Sequence, residues 1–319
     1  MSVVTRLLDR WRTAPARNAA ASAALQPEAL PAGTTLGQIR IERPIARGAS
    51  GALYAGIDEA TEMAVAVKVL CLPHTGSDPR AGDEARARFL HDAEQASRLQ
   101  HPGIVRVWGG GSAGGMAYVV MELLPGADLT RYTHASRLLP EPLALDIAAR
   151  LAEALAYAHR EGMVHRDVKP ANVMYDPATD SLKLTDFGLA RSVDAEATRS
   201  GVLLGSPAYM APELLGGARA DARSDLYALG VLLFELLTGR LPFEGNSMGA
   251  LLRAMATQTP RTVQELRPDL PAAQAAALDA LLRPVRARAP TDRLGDGDAW
   301  ARALRDGTQA SAGPLPSLS

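Results

Sequence analysis

The chain holds a single cysteine, Cys71, in 319 residues, so it forms no internal disulfide and offers no support for thiol redox chemistry. A lone thiol beside a strand reads as a small apolar residue in a reducing compartment. The chain also lacks an excess of either charge. A formal net charge of −1 argues against a general nucleic-acid binder, which would carry a basic face. No stretch reaches the roughly 20 consecutive apolar residues needed to cross a bilayer. The nearest, residues 226–238, follows Ser224 and Asp225, carries Glu235 and stops at Gly239, which is the pattern of a capped core helix. These absences point to a soluble, cytoplasmic protein without a transmembrane segment. Apolar residues, by contrast, make up 47% of the chain, enough to bury a large core in one two-lobed domain or two small ones.

Hydrophobic periodicity divides the chain further. Val3, Val4, Leu7, Leu8 and Trp11 recur at helical spacing, with Arg6, Arg10 and Arg12 elsewhere around the turn, and an Ala/Pro-rich linker follows over 13–31. Such a helix suits docking or a membrane surface, or else packs back on its own domain. Asp9 and the short apolar core argue against a cleaved signal peptide. Between residues 39 and 70, β-branched runs at 39–45, 51–57 and 63–70, separated by glycine, predict a β-meander. A charged helix is expected over 82–100, with Ala85, Phe89, Ala96 and Leu99 on one face, then strands near 104–108 and 117–122. Beyond Gly126, Leu143, Ile147, Leu151 and Leu155 mark a long helix that ends before Gly162. The expected class is α+β. An N-terminal extension (1–36) precedes a small antiparallel β lobe with one main helix (37–122). A connector (122–127), a larger mainly helical lobe (128–306) and a disordered tail (307–319) follow.

The residues with chemistry concentrate in two short segments. His165, Arg166, Asp167, Val168, Lys169, Pro170, Ala171 and Asn172 run together, and Asp186, Phe187 and Gly188 follow downstream. One carboxylate can hold a hydroxyl and the other a metal, while Lys169 and the Asn172 amide suit a transferring phosphoryl group and its magnesium. Upstream, Gly48 and Gly51 bracket a turn between two strands, where missing side chains let backbone amides approach phosphates. Lys68 lies inside the apolar strand Val65, Ala66, Val67, where an unpaired charge would cost several kcal/mol. Alone, the turn reads as an ordinary hairpin and the lysine as one snorkelling from an edge strand. With the acidic segments beyond them, both read as parts of a phosphate site.

In this order and spacing, and with Ala211, Pro212 and Glu213 further on, residues 37–304 resemble the eukaryotic-like protein kinases, most closely the bacterial serine/threonine members. The Ala/Arg/Leu-rich, lysine-poor composition fits a high-GC bacterial source. The resemblance implies the two-lobed protein kinase fold and transfer of the ATP γ-phosphate to serine or threonine of protein substrates, with Mg2+, or Mn2+ in its place. It gives Asp167 the acceptor hydroxyl, Lys169 the charge of the transferring group, and Asn172 and Asp186 the metal. Lys68 would contact the α and β phosphates, covered by Gly48 and Gly51. Ile45, Ala46, Leu53, Ala66, Met121 and Met174 would line the nucleotide site, with backbone groups of Glu122 to Leu124 on the adenine edge; plain core is the other reading of the apolar positions. Ser206 with Lys169 favours serine/threonine over tyrosine acceptors. Thr198 and Ser200 fall in the polar middle of an activation segment, where Arg166, Arg191 and Arg88 would form a cationic pocket for a phosphate added by autophosphorylation. Glu213 and Arg293 are implied to be a buried structural pair, and Asp225 a cap on the catalytic loop.

Two residues depart from the family pattern. Ala46 stands where the loop's first glycine belongs, a small change at a position that is partly strand. Asp92 stands where the family's helix glutamate would pair with Lys68. It lies on the inward face with Phe89 and Ala96, whereas Glu94 is about 200° round the helix and should face water. Aspartate is shorter by about 1.5 Å, so the pair requires the helix to move inward or is weak, with low basal activity. Asp92 therefore supports an alternative, a pseudokinase scaffold with weak or no transfer, against which Lys68, Asp167, Asn172 and Asp186 all weigh. A small-molecule phosphotransferase of related fold would typically lack the Ala-Pro-Glu element and the lysine two residues after the catalytic aspartate; both are here.

Overall fold

The computed structural model describes residues 30–48, 51–70, 79–187 and 207–311. They separate into two compact units: the first contains residues up to His101, Val105–Leu124 and Phe187, and the second Pro102–Ile104, Pro125–Asp186 and the described residues from 207 on.

The first unit is a six-stranded antiparallel sheet with one long helix. Its strands are β1 (Thr35–Leu36), β2 (Ile39–Gly48), β3 (Gly51–Asp58), β4 (Met63–Leu70), β5 (Val107–Ala113) and β6 (Met116–Glu122), in the order β1-β2-β3-β4-β6-β5. Alternation sends Val65, Val67 and Val69 to one face of β4, where they bury with Ile39, Ile41, Ala52, Tyr54, Tyr118 and Val120. Leu30 and Leu36 roof this cluster, and the Leu30 N–H donates to Tyr54 Oη at 3.0 Å. Leu30, seven residues ahead of residue 37, thus packs with this sheet because its side chain can bury there.

Helix α1 (Pro79–Ala96) starts three residues earlier and ends four earlier than its periodicity suggests. Proline is tolerated in a first turn because its missing N–H has no helical partner there. At the other end the bonds tighten to i→i+3 at Arg98 and Leu99, and Arg106 Nη1 takes the Leu99 carbonyl at 3.0 Å. The strand expected at 104–108 forms instead from Val107. Ile104 is buried in the second unit, where it bridges Leu184 in parallel.

The second unit begins with β7 (Ala127–Asp128) and the helix α2 (Glu141–Arg160), followed by the hairpin β8 (Val173–Asp176) and β9 (Ser181–Leu184). After these come α3 (Pro212–Leu215), α4 (Ala222–Thr238), α5 (Met248–Thr257), α6 (Val263–Leu266), α7 (Ala272–Arg286) and α8 (Gly297–Ser311). Helix α4 is buried at every position from Ser224 to Thr238, so its apolar character all round is that of a core element. An Asp221/Ser224 capping box starts it, and Gly239 ends it at φ +69, where a Cβ would come within 2.5 Å of Ala135 N. Alanine-rich α2 packs on α4 and on α8, and Trp300 of α8 is buried with its Nε1 donating to Leu281 O at 2.9 Å. Helix α8 runs through Ser311, with Thr308 Oγ1 bonded to Leu304 O.

Candidate active site

In the second unit the β8–β9 hairpin sets the spacing. Val173 pairs with Leu184, so the next antiparallel position places Asn172 against Thr185, and Thr185 donates to Asn172 O from both its N (2.8 Å) and its Oγ1 (3.1 Å). Asp186 follows at once, at φ +63, a left-handed conformation that costs a non-glycine residue about 1–2 kcal/mol. The two proposed metal ligands are therefore brought together by strand register.

Asp167 is fixed by its neighbours. Its Oδ2 accepts from Lys169 Nζ at 2.7 Å and from Asn172 Nδ2 at 2.9 Å, and the same amide nitrogen bonds Asp167 O at 2.7 Å. The three residues that the 165–172 run singles out thus form one hydrogen-bonded group, with Lys169 and Asp167 side chains 19% and 22% exposed. His165 is fully buried beneath them. Its Nδ1 accepts from Asp167 N at 3.2 Å, so the proton sits on Nε2, which donates to Thr185 O at 2.8 Å. One neutral imidazole thereby ties the loop to the segment that carries Asp186.

Asp225, 1% exposed on α4, supplies the loop's other support. Its Oδ2 accepts from His165 N and lies 2.8 Å from His159 Nε2, and its Oδ1 accepts from Arg166 N, also at 2.8 Å. Arg166 sits at φ +72, and the Asp225 acceptor helps to stabilise that unfavourable backbone. His159 was not apparent from sequence, because it lies 66 residues from Asp225 on another helix and no local motif marks it.

Glu213 and Arg293 pair through two bonds, 2.6 and 2.8 Å. Arg293 Nε and Nη2 also take the carbonyls of Ala287 and Arg288, and the guanidinium stacks 4.6 Å from the Tyr227 ring. With the Arg293 side chain 0% exposed, removing Glu213 would strand a buried charge at a cost of about 3–5 kcal/mol. A second pair was not anticipated. Tyr209 Oη donates to Glu235 Oε2 at 2.5 Å, and burial pushes both groups above their ordinary pKa.

In the first unit, Leu53 pairs with Lys68, Ala46 with Leu53, and Ala66 with Met121. Paired residues share a face, so Ala46, Leu53, Ala66, Lys68 and Met121 lie together on the side opposite the valine cluster. Lys68 is 7% exposed within it. Ile45 falls in the bulge between Pro44 and Ala46 and is 41% exposed. Gly48 and Gly51 close the β2–β3 turn, and Gly51 at φ +153 passes so near β4 that a Cβ would lie 2.2 Å from Val69 O. Glu122 N already bonds Arg106 O at 2.8 Å. Asp92 is half-buried between Phe89 and Ala96, while Glu94 is exposed and pairs with Arg98 at 3.6 Å. Met174, half-buried on β8, belongs to the second unit. Thr198, Ser200 and Ser206, with Gly188 and Arg191, lie outside the described residues.

A β unit with a buried strand lysine, and a helical unit with an Asp–Lys–Asn group beside a second aspartate, define the protein kinase class. Residues 39–304 match the protein kinase domain family, and the chain belongs to it. Among curated relatives, it is 36% identical over 237 residues to the serine/threonine-protein kinase PrkC of Bacillus subtilis, covering 74% of this chain and 36% of PrkC. It is 37% identical over 273 residues to the serine/threonine-protein kinase PknL of Mycobacterium tuberculosis, covering 83% and 64% respectively. The chain thus spans less than two thirds of these relatives. Among solved structures, the Mycobacterium tuberculosis PknI kinase domain (C20A mutant) matches with TM-score 0.67 and 32% identity, over 88% of this chain and 99% of that one. Rad53 1-466 in complex with AMP-PNP shares the fold at TM-score 0.65 and 23% identity, over 84% and 66%.

Proposed function

We propose that the chain transfers the γ-phosphate of ATP to serine or threonine hydroxyls of proteins, itself included. The observation that carries this reading is the Asp167 carboxylate held by Lys169 and Asn172. Those bonds fall on Oδ2, which leaves Oδ1 to orient an incoming hydroxyl and accept its proton. The hydroxyl oxygen then forms its bond to the γ-phosphorus as the bond to the ADP oxygen breaks, and the Lys169 ammonium offsets charge on the group in transit.

The donor set fits a hard divalent cation. Asn172 spends its amide nitrogen on Asp167, so its side-chain oxygen remains for a metal, and Asp186 adds a carboxylate; both suit Mg2+, and Mn2+ equally in ligand type. Held there, the metal would neutralise phosphate charge. Lys68, with Gly48 and Gly51, would serve the phosphates. Ala46, Leu53, Ala66, Met121 and Met174 would serve the adenine and Ile45 its rim. Since Glu122 N is engaged, the adenine edge would meet the Glu122 carbonyl and the Leu124 backbone. Thr198 and Ser200 are the proposed autophosphorylation sites and Ser206 a partner of Asp167 and Lys169. ATP and a lone cysteine suit the cytoplasm, and no helix among the described residues is long and apolar enough to cross a membrane.

With labelled ATP and magnesium, the chain is expected to label itself or a generic basic protein, and Asp167→Asn to lower the rate by about 100-fold or more. Nucleotide binding without any transfer in the unaltered chain would instead establish the scaffold reading that Asp92 supports.

A further inference from the structure

Arginines crowd the end of α7. Arg293 has Glu213 as its counter-ion, whereas Arg286 and Arg288 form no ion pair among the described residues. The Arg286 guanidinium packs 4.4 Å from the centre of the Phe234 ring, and its hydrogen bond runs from Nη2 to Arg261 O at 3.3 Å. Burial lowers its pKa to about 10, which Tyr227 and Asp279 offset only in part. Arg288 Nη2 donates to Gln258 O at 2.6 Å. The two guanidiniums are thus fastened to carbonyls on either side of Thr259 and Pro260, in the loop that joins α5 to α6. The carboxylates around that loop are already engaged. Glu244 is shared by Arg240 and Arg261, Asp279 accepts from Val263 N and Gln264 N, and Glu265 belongs to the capping box of α6.

Three threonines lie along the same stretch. Thr257 Oγ1 donates to Arg253 O at 2.8 Å, and Thr262 Oγ1 accepts from Glu265 N at 3.2 Å. Thr259 is exposed, and its hydroxyl has no hydrogen bond among the described residues. Bond lengths keep that hydroxyl within about 5 Å of Gln258 O in any rotamer, so a phosphate on it lies within a side-chain rotation of the Arg288 guanidinium.

We propose that Thr259 is a phosphate-acceptor site, modified by the chain's own transfer activity, and that Arg288 and Arg286 hold the phosphate. The proposal rests on the transfer reading above: Thr259 Oγ1 bonds to the γ-phosphorus of ATP as the bond to the ADP oxygen breaks, and the hydroxyl proton passes to Asp167. A dianion then stands where two cations lack one, and its charge-assisted bonds tie the α5–α6 loop to α7.

Two measurements on the full chain test this. After incubation with ATP and Mg2+, cleavage at Arg253 and Arg261 releases residues 254–261, and fragmentation in the mass spectrometer is expected to place a phosphate on Thr259. Thr259→Ala should lose it, Thr257→Ala should keep it, and the Asp167→Asn chain should carry none. Separately, phosphothreonine is inserted at position 259 of the Asp167→Asn chain during translation, and its phosphate is titrated by phosphorus NMR. Its second pKa is expected about one unit below the ordinary value of about 6, and Arg286→Met with Arg288→Ala should return it to that value. If the double change lowers the melting temperature, Arg288→Ala alone, at an exposed residue, should still reduce the shift. Phosphate at other residues with none at Thr259, or a titration that the arginine changes leave unmoved, overturns the proposal while the transfer reading stands. Incorporation nowhere in the chain overturns both.

Discussion

Single side chains set the geometry of the catalytic loop, and Asp225 is the one with most to hold. Buried on α4, it accepts the backbone N–H groups of His165 and Arg166 and contacts His159, so one carboxylate fixes two consecutive residues of the loop and helps to hold Arg166 at positive φ. Charge-assisted bonds of this kind are the stronger class, which suits a position that stabilises strained backbone. Asp92 is the residue whose chemistry departs from the family. Glu94, two residues on, is exposed and pairs with Arg98. If the shorter aspartate limits contact with Lys68, Asp92→Glu should raise kcat/KM. A gain of about 1 kcal/mol in one charge-assisted bond corresponds to roughly fivefold. Steady-state kinetics on both proteins decide it, and an unchanged or lower value would show that the lobe is adapted to aspartate.

Elements position these residues by register and by depth. The β8–β9 pairing aligns Asn172 with Thr185, and so sets the position of Asp186, the next residue and the other proposed metal ligand. Helix α4 acts through burial: it carries Asp225 near its start and Glu235 near its end, inside an otherwise apolar cylinder. Burial raises the Glu235 pKa above its ordinary 4.5, only partly offset by the Tyr209 hydrogen bond and the nearby His134 charge. The folded state therefore holds the Glu235 proton more tightly than the unfolded chain does. Its contribution is largest below pH 4.5 and is lost as pH rises through the folded pKa. Glu235→Gln keeps an oxygen for the Tyr209 hydroxyl and removes the charge. Thermal melts from pH 4.5 to neutrality should show the variant gaining on the unaltered chain as pH rises; parallel curves would refute the assignment.

At the scale of the whole molecule, the two units divide the proposed chemistry: strand lysine and glycine turn in the first, hydroxyl-orienting and metal-binding groups in the second. Among the described residues no cluster of three or more His, Cys, Asp or Glu could hold a metal by itself. A cation on the proposed ligands Asn172 and Asp186 is expected to take the rest of its oxygen shell from nucleotide phosphates and water. Chelation is expected to abolish transfer while leaving the melting temperature of the nucleotide-free chain unchanged; a chelator that unfolds the chain would reveal a structural metal instead. The amino-acid sequence by itself determined the class, because the chemistry sits in short runs with their own spacing. Lysine is so scarce, at Lys68, Lys169 and Lys183 only, that two of the three mark that chemistry. Periodicity also placed the meander and the long helices, since apolar residues recur every second or about every fourth position along elements that bury one face. Only the tertiary structure decided the rest. Ile104 leaves the expected strand to bridge Leu184, α1 ends at Ala96, Leu30 joins the core, and His159 meets Asp225 across 66 residues. Each of these depends on which partner a group finds after the chain has folded back on itself, and residues far apart in sequence carry no local pattern that announces their meeting.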